Sequence, residues 1–295
     1  MKDYIDIFKV YLLDEKKSSS NTVESYLRDI NQLSLYCASK NISDMAEFSN
    51  SEFITYLEYL SVLGKSEATK TRIIASVRCF YRFLISKGIA KNNPVDGIKV
   101  KKTQKKLPGV LDASEIVLLL AQPNSADYKS VRDKAMLELL YATGIKVSEL
   151  IDLKVSDINL GIGIIHLKSE KKERIIPLYP AAIKSVADYL VNVRPAIVLD
   201  EGEDRLFTNM TGQHMSRQGF WKIIKHYAEI AGIKKDITPH TLRHSFAAHL
   251  LENGAKLSDI KEMLGHSDIS STQIYAQLMK SKYTAAYSKF HPLAK

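Results

Sequence analysis

The chain has few cysteines and no long apolar run. Only Cys37 and Cys79 occur in its 295 residues, too few for a disulfide framework or a zinc site. No apolar run approaches the roughly 18 residues that a membrane-spanning helix needs. The start, Met1 to Phe8, carries acidic side chains inside its apolar stretch, so a secretion signal is not expected. These absences exclude disulfide-rich and membrane-spanning classes, and they predict a cytoplasmic protein with reduced cysteines.

Positive charge, in contrast, is in excess. The sequence has 42 Lys and Arg against 33 Asp and Glu, a formal net charge of +9. Its 45% hydrophobic and 25% charged residues are those of an ordinary globular protein, and its length is enough for two domains. The surplus of cations favours a polyanionic partner, which is either a nucleic acid or an acidic membrane surface.

The first hundred residues have the periodicity of helices. Capping hydroxyls at 18–22 precede one amphipathic helix, a second covers about 51–63, and a third covers 67–86. The polar side of the third helix carries a basic row of four residues: Lys70, Arg72, Arg78 and Arg82. A solvated helix face is the commoner meaning of such a row. The alternative is contact with the phosphate backbone of DNA.

A lysine-rich segment separates this helical region from the rest of the chain. Asn92-Asn93-Pro94 interrupts the pattern, and no acidic residue lies among the lysines of 99–106: Lys99, Lys101, Lys102, Lys105 and Lys106. A flexible linker and a strap across the DNA backbone explain the run equally well. We predict an N-terminal domain at 1–98, a basic linker at 99–110 and a second domain at 111–295.

The second domain has a mixed pattern. A capped helix start at 112–115 and an apolar helix at 131–143 are followed by two short β-branched strands, at 163–168 and 173–178, around a charged turn. Helices are predicted near 181–193, 216–231, 241–253 and 258–264. The domain is therefore expected to be mostly helical with a small sheet.

Histidines, an arginine and a tyrosine lie close together near the C-terminus. The order is His240, Arg243, His266 and Tyr275. Arg243 can hold phosphate oxygens through its planar donors, His240 shares its helix face, and a tyrosine can act as a covalent nucleophile. Taken singly, an H-x-x-R pair is usually a solvated face and a lone tyrosine usually packs in a core.

The amino-acid sequence of the whole C-terminal run is more specific than any of these residues taken singly. Residues 238–254, 263–267 and 271–275 closely resemble the tyrosine recombinase (phage integrase) family, and within it the Xer recombinases. The resemblance covers nearly the whole chain. It implies a mainly α fold with a small antiparallel sheet in the C-terminal domain, in which a SAM-like helical bundle and a catalytic domain form a C-shaped DNA clamp.

The resemblance also implies a mechanism. Tyr275 would attack DNA and form a 3′-phosphotyrosyl link, Arg243 would hold the scissile phosphate, and His240 and His266 would bind that phosphate or assist proton transfer. Neither a cofactor nor a metal is expected.

Two positions depart from the family pattern. Lys146 stands where the family has an arginine, which keeps the charge but loses the two-bond fork. The turn that normally delivers a general-acid lysine has no glycines, and its candidates are Lys168, Lys171 and Lys172, with Lys171 preferred. Glu149 matches a family position whose role is more structural than catalytic.

The predicted partner is double-stranded DNA with a short inverted-repeat site. The resemblance further implies a cyclic tetramer on DNA, in which a paralogous recombinase can take part and the tail with Tyr283, Tyr287 and Phe290 docks into a neighbouring subunit. Packing on the chain's own core is the simpler role of that tail. The expected activity is strand exchange for chromosome or plasmid dimer resolution, or for integration of a mobile element. The alternatives are a cleavage-impaired DNA-binding homologue and, more remotely, a DNA-relaxing topoisomerase.

Overall fold

The chain folds as two compact units, residues 1–105 and 106–295. A computed structural model describes residues 2–98, 108–169, 172–266 and 272–276. The predicted linker lysines Lys101, Lys102, Lys105 and Lys106 lie outside the described residues, as do Lys171 and the tail from Tyr283 to Phe290. The predicted boundaries at 98 and 110 therefore stay predictions.

Among its described residues, the first unit is built from four α-helices. They are α1 (Lys2–Val10), α2 (Ser20–Ser39), α3 (Asn50–Val62) and α4 (Glu67–Ser86). Ser49 and Ser66 cap α3 and α4 by accepting hydrogen bonds from backbone N–H groups of the first turn. The buried faces of these helices form one apolar core that is rich in aromatic rings, including Phe8, Phe53 and Phe80.

The second unit contains the helices and strands that position the site. Its helices are α5 (Ala113–Ala121), α6 (Tyr128–Thr143), α7 (Val147–Asp152), α8 (Pro180–Asp188), α9 (Arg194–Ile197), α10 (Arg217–Ile230), α11 (Pro239–Glu252) and α12 (Leu257–Leu264). Helix α6 is buried on nearly all sides. It is the central helix against which α8 and α11 pack.

A three-stranded antiparallel sheet lies at one side of this unit. Its strands, in spatial order, are β1 (Ile158–Asn159), β2 (Ile164–Ser169) and β3 (Lys172–Pro177). Strands β2 and β3 form a hairpin in which Lys168 pairs with Glu173 and Ser169 pairs with Lys172. Ile165 and Ile176 face each other in this register, and both are buried. The alternation of buried and exposed residues fixes the hairpin against the core.

Most predicted elements are confirmed, with small shifts at their ends. Helix α4 has the predicted bounds, and α3 begins and ends one residue early. Helix α6 begins three residues before the predicted start because Asp127 caps it. The stretch predicted as a single helix at 181–193 ends its α-helical part at Asp188 and continues as a π-helical turn, Tyr189–Val193. Helices α1, α7 and α9 and strand β1 have no counterpart among the predicted elements.

Two glycines end helices beside the candidate site. Gly144 follows α6 with φ +58° and Gly265 follows α12 with φ +66°, so both adopt the left-handed conformation that ends many helices. A Cβ at Gly144 would lie 2.3 Å from the Phe246 ring, and one at Gly265 would lie 2.8 Å from the Arg174 guanidinium. These positions need glycine because both the backbone and the neighbours exclude a side chain.

Candidate active site

Arg243 lies buried between the ends of two helices. Its Nη1 donates to the carbonyl of Gly144 at 2.5 Å, and its Nη2 donates to the carbonyl of Leu264 at 2.7 Å. Helix C-termini carry partial negative charge, so α6 and α12 stabilise a guanidinium without a carboxylate. Burial lowers the pKa of Arg243 from its ordinary value, yet arginine stays charged in proteins. The site therefore holds a fixed positive charge whose direct hydrogen bonds go to backbone carbonyls, while the Glu149 carboxylate acts on it only at a distance.

An open cavity of about 340 Å³ lies over this charge. Arg243, His240 and Lys146 all line it, so the structure brings these three predicted residues together. Lys146 is exposed at the start of α7, and its backbone N–H donates to the Glu149 carboxylate at 2.7 Å. The cavity is therefore lined by one buried cation, Arg243, and one exposed cation, Lys146.

Tyr275 lies in a helical turn, residues 272–276, against α11. Its side chain is 1% exposed, and its hydroxyl shares a hydrogen bond of 2.9 Å with Nδ1 of His244. Burial raises the pKa of Tyr275, while the charge of Arg243 opposes that rise. Burial, with the neighbouring His240, Arg243 and His266, lowers the pKa of His244 to about 4. At neutral pH a protonated phenol therefore faces a neutral imidazole.

His266 follows Gly265 at the end of α12. Its Nδ1 lies 3.0 Å from the hydroxyl of Thr272, three residues before Tyr275. This contact connects the Leu-Gly-His run to the turn that carries the tyrosine. The structure thus places His266 near the same cluster, because its charge is one of those that act on His244.

Arg174 of β3 connects the hairpin to helix α7 and to the end of helix α12. Its Nη2 donates to Glu149 at 2.7 Å, and its Nε donates to the carbonyl of Met263 at 3.0 Å. Glu149 also accepts the backbone N–H of Lys146, so one carboxylate joins α7 to the hairpin. The arginine is 7% exposed. Its contacts hold the ends of α7 and α12 beside the hairpin.

The identity of the hairpin lysine stays a prediction. Lys171, the preferred candidate, lies outside the described residues. Lys168 is exposed and pairs with Glu173 across the hairpin. Only the pair of Ser169 with Lys172 lies nearer to the turn.

The basic row of the first unit is less uniform than predicted. Arg72 forms an ion pair of 2.6 Å with Asp29, which is 1% exposed and also accepts from Ser76. Lys70 pairs with Glu67 and donates to Ser61. Arg82 is exposed and Arg78 is half-buried. Arg72 therefore neutralises a buried carboxylate, because an unpaired charge there would be costly.

The cavity lining also includes Arg217 and Trp221, which the sequence did not predict as site residues. Arg217 and Trp221 project from α10 into the same wall as His240, and Lys225 lies over the Trp221 ring at 4.5 Å from its centroid. A basic residue four positions before an aromatic one was a usable signal, because that spacing puts both on one helix face. His244 was also missed, since only the fold brings it to Tyr275. Within the described residues no group of three potential metal ligands occurs, and no described helix is long and apolar enough to cross a membrane.

Arg243, His240 and Lys146 line one cavity, whereas Tyr275 and His266 are not among its lining residues, and Tyr275 lies buried beside His244 of the helix that carries Arg243. A cavity lined by these basic side chains is suited to binding an anion. Comparison with family models gives the family. The model of the phage integrase family matches residues 109–282, and that of the phage integrase N-terminal SAM-like domain matches residues 5–88. The chain belongs to the phage integrase family and is a Xer-like tyrosine recombinase, as the sequence predicted.

Relatives span the whole chain. The chain is 43% identical over 282 residues to a protein named tyrosine recombinase XerD from Halalkalibacterium halodurans, covering 95% of this chain and 94% of the relative. It is 41% identical over 295 residues to tyrosine recombinase XerD from Staphylococcus epidermidis, covering 100% of both. The prediction of an enzyme, a DNA strand transferase, is confirmed, and the alternative of a cleavage-impaired binding protein is not favoured.

Solved structures support the fold. The XerA recombinase matches with a TM-score of 0.56 and 27% identity, over 99% of this chain and 98% of that one. The XerH site-specific recombinase, in a post-cleavage complex with palindromic difH substrate, matches with a TM-score of 0.75 and 22% identity, over 92% of this chain and 81% of that one. The predicted fold class, mainly helical with a small antiparallel sheet, is confirmed.

Proposed function

We propose that this chain cuts and rejoins DNA strands through Tyr275, with Arg243, His240, His266 and Lys146 binding the scissile phosphate. The observation that carries the proposal is Arg243, a buried cation held by two backbone carbonyls at the floor of an open cavity. A cation fixed in this way needs no rearrangement when negative charge develops on the phosphate.

The proposed reaction proceeds in two transfers. The Tyr275 hydroxyl oxygen attacks phosphorus and releases the 5′-oxygen, which leaves a 3′-phosphotyrosyl link. A 5′-hydroxyl then attacks this link and frees the tyrosine. Because the link retains the energy of the broken bond, the chain requires no high-energy cofactor. The hairpin lysine, preferably Lys171, serves as the proton donor for the leaving oxygen.

Lys146 supplies the second cation of the proposed phosphate site. It lines the cavity with Arg243, so its ammonium lies within reach of the same anion. An ammonium gives a point charge where an arginine gives two parallel hydrogen bonds. By analogy with one lost oxyanion donor, the lysine costs the wild type about 2–4 kcal/mol of transition-state stabilisation.

A nicked duplex tests the proposal. The duplex carries the inverted-repeat site that the protein selects from a random pool, with a nick beside the cut so that the released end diffuses away. Wild type should form a covalent adduct on a denaturing gel, and Tyr275→Phe should form none. An adduct in Tyr275→Phe contradicts the assignment of the nucleophile. If wild type forms none and Lys146→Arg does, the binding-protein alternative holds instead.

The first unit is proposed to bind the DNA backbone. Of the basic row, Arg78 and Arg82 are the residues whose described surroundings leave them most suited to phosphate, since Arg72 and Lys70 have acidic partners within the unit. The lysines at 101, 102, 105 and 106 would add to this binding. Replacing one phosphate-binding side chain by alanine should reduce the slope of log affinity against log salt by about one unit.

The assembly and the role are proposed from the family. The proposed assembly is a cyclic tetramer on two duplexes, with or without a paralogous recombinase. Resolution of chromosome or plasmid dimers, in chromosome partition and cell division, suits relatives named XerD. In that role the protein would work on the chromosome, in the cytoplasm.

A further inference from the structure

His244 contacts the proposed nucleophile but has no part in the proposed two transfers. Its Nδ1 lies 2.9 Å from the Tyr275 hydroxyl, and the two ring centroids are 5.6 Å apart. The imidazole follows Arg243 directly on α11, so the helix that fixes the phosphate-binding cation also fixes this ring. Two consecutive residues of α11 therefore position the proposed phosphate, through Arg243, and the Tyr275 hydroxyl, through His244.

The surroundings of His244 determine its proton state. The His240 ring lies one turn earlier, with its centroid 6.4 Å away, and Arg243 and His266 are two further neighbours that lower the pKa of His244. Together with burial they keep the pKa of His244 near 4, so the ring is neutral at pH 7. With its proton on Nε2, a neutral ring accepts at Nδ1 and the Tyr275 hydroxyl donates.

We propose that His244 orients the Tyr275 hydroxyl and accepts its proton during attack on the scissile phosphate. This inference rests on the proposed function of Tyr275. In the forward step the Oη–P bond forms and the P–O5′ bond breaks. The phenolic proton passes to Nδ1, which gives an imidazolium, and a separate donor, a lysine ammonium or water, protonates the 5′-oxygen. In the reverse step the P–O5′ bond forms and the Oη–P bond breaks: the 5′-hydroxyl gives its proton to the lysine amine or to water, and the imidazolium returns its proton to the phenolate.

DNA binding makes the proton transfer easier. The free protein combines a weakly basic imidazole with a phenol whose pKa is raised by burial. A scissile phosphate beside Arg243 brings a negative charge that offsets the cations around the ring. The pKa of His244 therefore rises when substrate binds, because a nearby anion favours the imidazolium. The acceptor becomes a stronger base only when there is a bond to attack.

Two substitutions at this position separate proton transfer from orientation. His244→Asn retains an oxygen near the position of Nδ1, so it can still accept the hydroxyl, but an amide does not take a proton. His244→Ala removes both roles. We expect adduct formation on the selected nicked duplex to fall about 100-fold in the Asn variant and further in the Ala variant. Wild-type rates should rise with pH and level off above the pKa of bound His244. Asn-variant rates should keep rising into the alkaline range as Tyr275 ionises.

A substrate with sulfur in place of the bridging 5′-oxygen tests which proton is involved. A thiolate leaves without a proton donor, because thiols are far more acidic than alcohols. The Asn variant should stay about 100-fold slower than wild type on this substrate. Recovery to within threefold of wild type would place His244 on the leaving group and overturn the proposal, as would wild-type rates of the Asn variant on ordinary DNA.

A second pair on the same helix gives the matched control. His249 shares a hydrogen bond of the same length, 2.9 Å, with the hydroxyl of Tyr141. His249→Asn should lose similar thermal stability and keep its adduct rate within threefold. Failure of the proposed function is separately visible, because it appears as an adduct in Tyr275→Phe. A wild-type rate in His244→Asn, with Tyr275→Phe inactive, contradicts only the inference about His244.

Discussion

Two regions of the second unit bury an arginine, and they treat its charge in different ways. In the core, Arg132 is 3% exposed and forms two hydrogen bonds with Asp133, which is fully buried. In the candidate site, Arg243 is 4% exposed and donates to two carbonyl oxygens. No ion pair of Arg243 occurs among the described residues. A carboxylate pairs directly with Arg132, whereas Arg243 donates to helix-end carbonyls and has the Glu149 carboxylate only as a more distant neighbour.

This difference predicts opposite readouts for the two arginines. Loss of Arg132 should appear as instability, because its partner is left alone in the core. Loss of Arg243 should appear as impaired catalysis, because its partners are ordinary backbone carbonyls.

The largest effect is expected from Arg132→Leu. It leaves the Asp133 carboxylate buried without its cation, and loss of one partner of a buried pair costs about 3–5 kcal/mol. The measurement is the free energy of unfolding in urea. Burial already raises the pKa of Asp133, so the loss should shrink at acidic pH as the carboxyl takes up a proton. A loss below about 1 kcal/mol would mean that the two regions do not differ.

Arg243→Lys should give the converse result. A lysine keeps the charge but cannot bridge both carbonyls and also hold phosphate, so the cleavage rate should fall about 10²- to 10³-fold, or 2.7–4 kcal/mol. Urea unfolding should change little, since no buried carboxylate is left unpaired. Arg205→Lys, at a half-exposed pair with Glu203, is the control and should leave both measurements unchanged. A large loss of stability in Arg243→Lys would contradict the comparison.

Burial of His244, together with its charged neighbours, should also make stability depend on pH. The pKa of His244 in the folded chain is about 4, below its unfolded value of about 6.5. Folding therefore releases a proton, and the stabilisation is fully present above pH 6.5 and is lost as the pH falls toward 4. The expected difference is on the order of 2–3 kcal/mol.

Other groups titrate in the same window, so the useful quantity is a difference. Subtracting the stability of His244→Asn from that of wild type at each pH isolates the contribution of this ring. A difference that does not change between pH 4 and 7 would show that folding does not lower the pKa of His244.

The smallest effect is expected at a helix end that holds Arg243. Gly265→Ala forces a side chain into the left-handed conformation and toward the Arg174 guanidinium, at a cost of about 1–2 kcal/mol. Thermal unfolding measures it. Gly109→Ala is the control, because no atom lies within 4 Å of an added Cβ there. Equal stability of the two variants would mean that the α12 end is not under this constraint.

The sequence predicted those features that local patterns determine. Apolar periodicity and capping residues placed α4 between its observed bounds, and alternation placed the hairpin within a residue. The residue types at His240, Arg243 and Tyr275 indicated phosphoryl transfer before any fold was known.

Features that depend on packing could not be read in this way. The sequence predicted Lys70 and Arg72 as part of one basic face. In the structure Arg72 forms an ion pair with buried Asp29, which lies 43 residues away in sequence. His244 looked like one more polar residue of α11, and its contact with Tyr275 exists only because a turn 31 residues later returns to that helix. Burial and long-range pairing decide both cases, and neither leaves a periodic signal.

Trp221 makes the cavity accessible to fluorescence measurements. It is the single tryptophan of the chain, and it lines the cavity beside Arg243 and His240. Excitation of indole therefore produces emission from one place in the molecule, the wall where the proposed phosphate binds. Entry of a DNA strand would change the polarity around that ring. Intrinsic fluorescence would then follow occupancy of the site in real time, with no label added.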